Sequence, residues 1–190
     1  MAGRRPGGPD TRGEIVAAAR ESFASKGFDR TSIRGVARDA GVDAALVHHY
    51  FDGKEDLFIA ALELPIDPRV IATELMRGPL DELGARIVTT FLSVWETDAG
   101  QARMKAMLRG AVTSEEVAKM VREGITRMIF TPVAAVLGTP DATQRVALVA
   151  SQLMGLALAR YVIELEPLAS ATPDEVITRI APTLQGYLTR

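Results

Sequence analysis

Cysteine is absent from the 190 residues, and the chain contains only two histidines and one tryptophan. Without thiols there is no disulfide framework and no thiolate metal site. Two histidines are too few for a metal centre built on imidazole. We therefore expect no metal and no cofactor, and the lack of cysteine suits a reducing cytoplasm. No stretch of about 18 residues is apolar and free of charge, so we also expect no membrane partner.

The motifs of common enzyme classes are missing as well. The sequence has no glycine-rich phosphate loop after a strand and no nucleophile elbow. Acidic pairs such as Glu115-Glu116 stand at predicted helix starts, where the helix dipole accounts for them. There is no internal repeat and no strand-like alternation of useful length. The chain is therefore predicted to be all-α and not an enzyme.

Charge is nearly balanced overall but unevenly distributed. The formal net charge is −2, yet residues 1–54 hold nine Lys or Arg against seven Asp or Glu, which is +2 for the N-terminal part and −4 for the rest. This balance argues against a wholly basic nucleic-acid coat. Residues 1–10 are rich in Gly, Pro and Arg, so we predict a flexible basic arm there, which carries Arg4 and Arg5.

Two short helices follow at the start of the chain. Apolar residues at helical spacing predict a first helix that Thr11 caps, in a capping box with Glu14, and that Gly27 ends. A second helix is predicted over residues 33–39, with Thr31 or Ser32 as its cap.

A third helix completes a helix-turn-helix pattern. Ala40-Gly41-Val42 forms the turn, because glycine allows the left-handed conformation that reverses the chain. Asp43 is predicted to cap the third helix, over residues 44–51. Its inward residues are predicted to be Leu46, Val47, Tyr50 and Phe51, and its outward residues Ala44, Ala45, His48 and His49. A helix presented in this way enters the major groove by its N-terminal end.

These residues resemble the DNA-binding domain of the tetracycline-repressor (TetR) family of bacterial transcription regulators. The matching positions keep the family's order and spacing: Thr11-Arg12, Ile15, Ala19, Phe23, Gly27-Phe28, Thr31-Ser32-Ile33, Val36-Ala37, Ala40-Gly41-Val42, Phe51, Lys54-Glu55 and Leu57. Two positions depart from the pattern. His48 stands where members commonly carry a phosphate-binding Tyr, and Ala45 stands where Gly or Pro is frequent.

The resemblance implies a fold of about nine helices in two domains. Residues 11–57 would form the helix-turn-helix DNA-binding domain, and residues 58–190 a larger ligand-binding and dimerisation domain. The predicted DNA contacts are Arg4, Arg5, Thr11, Thr31, Ser32, Arg34, Asp43, Ala44, Ala45, His48, His49 and Lys54. Arg34 could reach a guanine or a phosphate, or simply be solvated. Lys54 combines its charge with a helix N-terminus, which favours a phosphate.

Proline and glycine punctuate the rest of the chain. A fourth helix is predicted over residues 54–64 with Asp52 as its cap. Thr113 and Glu116 predict a capping box for a helix over residues 114–137, which Pro132 should kink or break near Met128. Later helices are predicted over residues 141–165 and from Thr172-Pro173 onward.

The penultimate helix is apolar around most of its circumference, so more than one neighbour must cover it. It either forms the core of one subunit or pairs with a second copy, as the family resemblance implies. A twofold dimer is also what a helix-turn-helix protein needs to contact two half-sites. The predicted dimer interface is Leu153, Gly155, Leu156, Arg160, Ile180 and Leu184.

The middle helices carry methionine and aromatic residues that would surround a central space in such a fold. The predicted effector pocket is Phe91, Trp95, Met104, Met107, Met120 and Met128, although the same residues could be plain core. Arg103, Arg109 and Arg127 are candidates to orient a polar end of the ligand. The sequence thus predicts a cytoplasmic, homodimeric repressor that a small, mainly apolar effector releases from a palindromic operator. The alternative is a dimeric DNA-binding adaptor whose C-terminal domain binds protein or only itself.

Overall fold

The structure is a computed structural model that describes residues 10–189, and within that range it contains helices and loops but no strand. The all-α fold is therefore confirmed. The α-helices are α1 (Thr11–Lys26), α2 (Ile33–Asp39), α3 (Ala44–Tyr50), α4 (Lys54–Leu62), α5 (Pro68–Leu75), α6 (Leu83–Trp95), α7 (Asp98–Thr113), α8 (Glu115–Ile125), α9 (Thr131–Leu137), α10 (Ala142–Ala157) and α11 (Pro173–Thr189). A 3-10 turn (Leu80–Glu82) precedes α6, and π-helical turns follow α8 (Thr126–Phe130) and α10 (Leu158–Val162).

The chain forms two compact units that do not follow a single cut along the sequence. Within the described range, unit 1 consists of residues 10–63 and 110–124, and unit 2 of residues 64–109 and 125–189. Unit 1 thus contains α1 to α4 together with nearly all of α8. The linear division at residue 58 did not anticipate that residues 110–124 join the N-terminal helices. The predicted contacts Arg4 and Arg5 lie outside the described residues.

Three phenylalanines form the centre of the N-terminal helices in unit 1. Phe23 of α1 packs edge-on against Phe58 of α4, with 4.7 Å between ring centroids. Phe28, in the turn after α1, stacks on Phe23 at 5.9 Å and meets Phe58 edge-on at 5.1 Å. Aromatic pairs in these geometries add to the apolar burial. The α1–α2 turn (residues 27–32) is therefore fixed to the core by its own side chain.

Several predicted helix caps are wrong by a few residues. Asp10 caps α1 by accepting the Gly13 N–H, so Thr11 lies inside the first turn. Gly53 precedes α4 and no side chain caps that helix, which removes the role predicted for Asp52. For α8, Ser114 replaces Thr113, because Ser114 Oγ accepts the Val117 N–H. At α1 and α8 two adjacent residues had capping chemistry, and only the backbone path decided which oxygen reached the N–H groups.

Other local predictions are confirmed. Ser32 and Asp43 cap α2 and α3, and α11 begins at Pro173 as expected, where Thr172 and Glu175 form a capping box. The break expected near Met128 is the π-helical turn, in which Thr131 N–H donates to Thr126 O. Pro132 has no N–H to give to Met128, so regular α-helical bonding cannot pass that point.

In unit 2, α6 and α11 approach each other closely through a glycine. A Cβ at Gly84 would lie 2.7 Å from both Ala181 O and Gln185 N. The Gln185 side chain accepts the Gly84 N–H at 2.7 Å and donates to Leu80 O at 2.9 Å. The absence of a side chain at Gly84 therefore permits the packing around which the unit is built.

One helical segment of the described chain, Ala142–Val162, is long and apolar enough to cross a membrane by length and composition alone, with 33% of its most apolar window buried. Core helices of water-soluble proteins pass the same test. One side of this segment packs into unit 2 through Val146, Val149 and Leu156.

Candidate DNA-binding surface

The helix-turn-helix geometry is set by α2, the turn after it, and α3. Gly41 adopts a left-handed φ of 68°, and Val42 N–H donates back to Ala37 O at 2.9 Å. Asp43 Oδ1 accepts the Ala45 N–H at 2.7 Å and so begins α3 at a defined residue. Val47 is buried beneath the helix. The turn and the cap together leave the opposite face of α3 open to a groove.

The open face of α3 carries most of the predicted contacts. Ala45, His48 and His49 are exposed, and Ala44 is half-buried. Arg34 is exposed at the start of α2, beside Ser32. Ser32 and Asp43 both use a side-chain oxygen as a cap, although the Ser32 hydroxyl still has a hydrogen to donate. Asp43 is acidic, so it positions α3 rather than binding phosphate.

Tyr50 is a surface residue that the sequence assigned to the core. It is 39% exposed and packs edge-on against His49, with 5.1 Å between ring centroids. The inward side of α3 is formed by Val47 and the following Phe51, while Leu46 is only half-buried. The prediction that Tyr50 faces inward is wrong, because α3 ends at Tyr50. Its hydroxyl extends the row of polar groups at this end of the helix.

Thr31 does not fit its predicted role as a DNA contact. It is only 2% exposed, and its hydroxyl lies 2.9 Å from Gly27 O and 3.0 Å from Ser22 O, either of which can accept its hydrogen. The side chain closes the α1–α2 turn from inside. A threonine beside the capping Ser32 was chemically suited to either task, and burial separates the two residues.

Lys54 stands at the first residue of α4, as predicted, but it also has partners within unit 1. Its Nζ donates to Asp29 O at 3.1 Å and lies 4.5 Å from the centroid of the Phe28 ring. A cation over an aromatic face is attracted by the ring. At the start of α1, the exposed Arg12 lies in the same way over Phe51, 5.2 Å from the ring centroid. Lys54 and Arg12 are thus held at helix starts.

The residues predicted as a dimer interface divide into two groups. Leu156, Arg160 and Leu184 are buried within unit 2, so their assignment to a contact with a second copy is wrong. Leu153 and Ile180 are half-buried against the same core. Only Gly155 is exposed, with no atom within 4 Å of a Cβ built on it. The apolar periodicity of the penultimate helix indicated that more than one of its sides must be covered. It could not show which side packs within the subunit and which side remains open.

Large apolar side chains are exposed on one side of the helical segment Ala142–Val162 and on the residues that follow it. They are Leu148, Met154, Leu158, Val162, Ile163 and Leu165. Exposed apolar side chains that lie this close together are typical of interaction surfaces. We call this set the apolar face of α10.

Trp95 is the most enclosed of the residues predicted for the effector pocket. It is 1% exposed, stacks on Tyr161 at 4.9 Å and contacts Phe91 at 5.8 Å between ring centroids. Met104 packs at half-burial against the core of unit 2, and Met128 is buried. Met107 is half-buried, also in unit 2. Met120 is buried in unit 1, so its grouping with the other five residues is wrong.

A partly buried polar cluster adjoins Trp95. Arg160, only 6% exposed, donates to Glu96 Oε1 at 2.9 Å and to Leu168 O at 2.5 Å. Tyr161 Oη donates to the same Glu96 oxygen at 2.7 Å. Burial tends to raise the pKa of Glu96, but the Tyr161 and Arg160 hydrogen bonds outweigh it and hold that pKa below its ordinary value. Burial and the bond to Glu96 raise the pKa of Tyr161 to about 12.

Two hydrogen-bond donors in this cluster remain unused. Among the described residues, the buried side-chain N or O atoms without a hydrogen-bond partner are all nitrogens of unit 2, and they include Trp95 Nε1 and Arg160 Nε. Buried donors normally have an acceptor. Arg103, Arg109 and Arg127, the predicted partners of a polar ligand end, are exposed instead.

Comparison with known families accounts for both parts of the chain. The family of bacterial regulatory proteins named for tetR matches residues 15–61, and the tetracyclin repressor-like C-terminal domain matches residues 81–188. The chain belongs to the tetR family of bacterial regulators. This tetR-family protein is a DNA-binding transcriptional regulator, and its α3 is the recognition helix of the helix-turn-helix.

Individual relatives of this tetR-family regulator support the assignment. The HTH-type transcriptional regulator BetI of Agrobacterium fabrum strain C58 is 29% identical over 175 residues, covering 89% of this chain and 85% of that protein. A crystal structure of a TetR-family regulator from Streptomyces coelicolor A3 is 41% identical, with a TM-score of 0.50 and full coverage of both chains. The fatty acid degradation regulator FadR of Bacillus halodurans shares the fold, at 15% identity and a TM-score of 0.53 over 92% of this chain and 98% of that chain.

Proposed function

We propose that this regulator is a cytoplasmic repressor that binds a palindromic operator as a homodimer and is released by a small, mainly apolar effector. The observation that carries the DNA-binding part is the exposed face of α3, with its helix anchored by Val47 beneath and begun by the Asp43 cap. Arg34, His48, His49 and Tyr50 supply polar groups for bases and phosphates, and Lys54 supplies a point charge.

The apolar face of α10 supports the homodimer. Most of its residues lie on the outer side of the helical segment Ala142–Val162, whose inner side is already packed, so a second copy would bury apolar groups that solvent now contacts. Gly155 has no atom within 4 Å of a Cβ position, which leaves room for a close helix approach. A twofold pair of subunits carries two recognition helices, as a palindrome requires.

Trp95 and its neighbours support the effector. Phe91, Trp95 and Met104 give apolar contact surface in unit 2, and the unused donors Trp95 Nε1 and Arg160 Nε favour a ligand that carries a hydrogen-bond acceptor. If the effector binds more tightly to the form of the protein that does not fit the operator, its binding lowers the affinity for DNA. The factor is the ratio of the effector's affinities for the two forms. We infer that effector binding moves α4 and so changes the spacing of the two recognition helices.

Selection of DNA from a randomised library by the purified protein, followed by sequencing, tests the DNA-binding part. We expect an inverted repeat, a gel shift with that duplex, and a dimer by sedimentation. A selected site without twofold symmetry would contradict the homodimeric arrangement.

The effector part has its own test. A panel of apolar compounds with and without a carbonyl or carboxylate is screened for thermal stabilisation and for release of the selected duplex. We expect hits only among the acceptor-bearing compounds, and Trp95→Phe should weaken their binding, because it keeps an aromatic side chain, although a smaller one, and removes the indole N–H. A panel without any stabilising or releasing compound would favour the alternative, a DNA-binding adaptor whose C-terminal domain binds protein or only itself.

A further inference from the structure

The α1–α2 turn of unit 1 is held by a residue from a distant part of the chain. Phe28 N–H donates to Glu123 Oε2 of α8 at 2.8 Å, across a sequence separation of 95 residues, in a partly buried setting. Hydrogen bonds from a backbone N–H to a carboxylate are stronger than those between neutral groups. α8 is thus bonded to the turn as well as packed in the same unit.

Gly27 shows how closely α8 covers this turn. Its φ is +82°, and a Cβ there would lie 2.9 Å from Glu123 Oε1 and 3.2 Å from Lys119 Nζ. A side chain at this position would therefore meet the two charged groups of α8 and would also strain the backbone. The glycine is needed for the helix end and for the approach of Glu123.

The turn is linked directly to the DNA-binding side chains. The residue that bonds to Glu123, Phe28, carries the ring over which Lys54 Nζ lies, and the next residue, Asp29, accepts a hydrogen bond from the same Nζ. Thr31 and Ser32 end the turn and begin α2. Movement of Phe28 would therefore displace the Lys54 ammonium, which is a predicted phosphate contact.

α8 also contacts the other end of α4. A Cβ at Gly124 would lie 2.8 Å from Leu62 Cδ1, so the helix backbone passes directly against this buried side chain. Arg20 of α1 holds the same end of α4 through an ion pair with Glu63 and a hydrogen bond to Ala61 O. The end of α4 is thus fixed from two sides. The hydrogen bond from the Phe28 N–H to Glu123 is a separate contact from α8 to the α1–α2 turn, and a single substitution can remove it.

We propose that Glu123 is a positioning residue for DNA binding: its carboxylate fixes the α1–α2 turn and thereby places Lys54 for a phosphate. Glu123 itself does not touch DNA in this scheme. The proposal rests on the proposed role of Lys54, and it makes α8 an integral part of the DNA-binding unit.

Three full-length variants test the proposal. Glu123→Ala removes the acceptor, Glu123→Gln keeps a neutral oxygen in its place, and Glu115→Ala removes an equal charge from an exposed position on the same helix. Amide exchange at Phe28 is measured by NMR in the free protein. Affinity for the duplex that the wild-type protein selects from a randomised library is measured at several salt concentrations.

We expect Glu123→Ala to speed exchange of the Phe28 amide by about 10- to 100-fold, because its hydrogen bond to a charged group is lost. Operator affinity should fall by about 3- to 10-fold, and the slope of log affinity against log salt should decrease by about one unit as Lys54 leaves its phosphate. Glu123→Gln should keep the exchange rate, the affinity and the salt slope close to their wild-type values, and Glu115→Ala should change none of the three.

Two results would overturn the proposal. Unchanged exchange at Phe28 in Glu123→Ala would show that the carboxylate does not hold the turn. Faster exchange with unchanged affinity and salt slope would show that the turn does not position Lys54. The exchange experiment uses no DNA, so its outcome is independent of whether the proposed operator binding is correct.

Discussion

The two compact units differ in how completely their buried polar groups are paired and in how much apolar surface they leave to solvent. In unit 1 the α1–α2 turn is bonded from several sides, by Thr31, Lys54 and Glu123. Within residues 10–189, buried side-chain donors without a partner occur in unit 2 alone. The exposed large apolar side chains also belong to unit 2, apart from Tyr50 and Val112.

This difference indicates how each unit works. Unit 1 needs a rigid backbone, because the recognition helix must meet the groove in one orientation. It exposes few large apolar side chains, and its partner, DNA, is polar. Unit 2 exposes the apolar face of α10 and contains unused donors beside Trp95, so it is suited to partners that bury apolar surface and supply an acceptor. The fully paired turn and the exposed apolar groups thus lie in different parts of the chain.

The largest expected effect comes from comparing a packed position of unit 2, where α6 meets α11, with an open position on α11. Gly84→Ala should destabilise the protein by about 2–3 kcal/mol, because the new methyl group would meet backbone atoms of α11 that cannot move independently. Gly186→Ala on α11, which meets nothing, should be neutral or stabilise by about 0.5–1 kcal/mol. Thermal unfolding of both variants measures the contrast, and equal effects would show that α6 and α11 are not in close contact.

The open side is tested next by Gly155→Leu. No atom of the subunit lies within 4 Å of the new Cβ, so the fold should survive. Dimerisation should weaken by about 1–3 kcal/mol if a second helix packs there, which sedimentation at several concentrations can measure. Gly155→Ala serves as the control for size and should dimerise nearly normally. A Leu variant that remains a tight dimer would place the interface away from the apolar face of α10.

A smaller, pH-dependent effect is expected from the Glu96 cluster. The pKa of Glu96 is lowered in the folded protein, so its pairing stabilises the fold above the ordinary carboxyl pKa of 4.5 and is lost as pH falls through the lowered value. Glu96 is 38% exposed at its side chain, which limits the effect to about 1 kcal/mol. Urea unfolding from pH 7 to pH 3 should show this loss in wild type and less of it in Glu96→Gln.

The smallest effect concerns single phosphate contacts on unit 1. His48→Ala should weaken binding to all duplexes by a similar factor, because the contact that is lost is to a phosphate that every duplex carries. Arg38→Ala is a suitable control, because Arg38 is exposed in the same unit but pairs with Asp39. Affinity measured by fluorescence anisotropy between low and moderate salt distinguishes the two. Equal affinities of His48→Ala and wild type would remove His48 from the contact surface.

Local signals predicted much of the secondary structure. The bounds of α2, the Asp43 cap, the start of α11 and the break before Pro132 agree with the structure. Each of these features depends on residues within about one helical turn of each other, where hydrogen-bond chemistry and proline sterics act directly. Where two adjacent residues had the same chemistry, as with Thr31 and Ser32, the local rule could not choose between them.

Periodicity gave the apolar character of α10 and α11 but not the direction of each face. Leu156, Arg160 and Leu184 were expected at a contact between copies, and they are buried in one subunit instead. The Arg160 side chain turns inward because two acceptors lie there. They are the carboxylate of Glu96, which directly follows α6, and the backbone oxygen of Leu168. No pattern within α10 contains that information, since the acceptors belong to segments far along the chain.

The sequence alone was sufficient for the all-helical class, the helix-turn-helix and the family, because these follow from spacing within short segments. The tertiary structure was required to show that α8 belongs to the DNA-binding unit, that Glu123 bonds to Phe28, and which side of α10 is covered. Contacts between residues as far apart as these arise only after the helices pack together. Their free energy depends on the distances between side chains, which neither composition nor periodicity specifies.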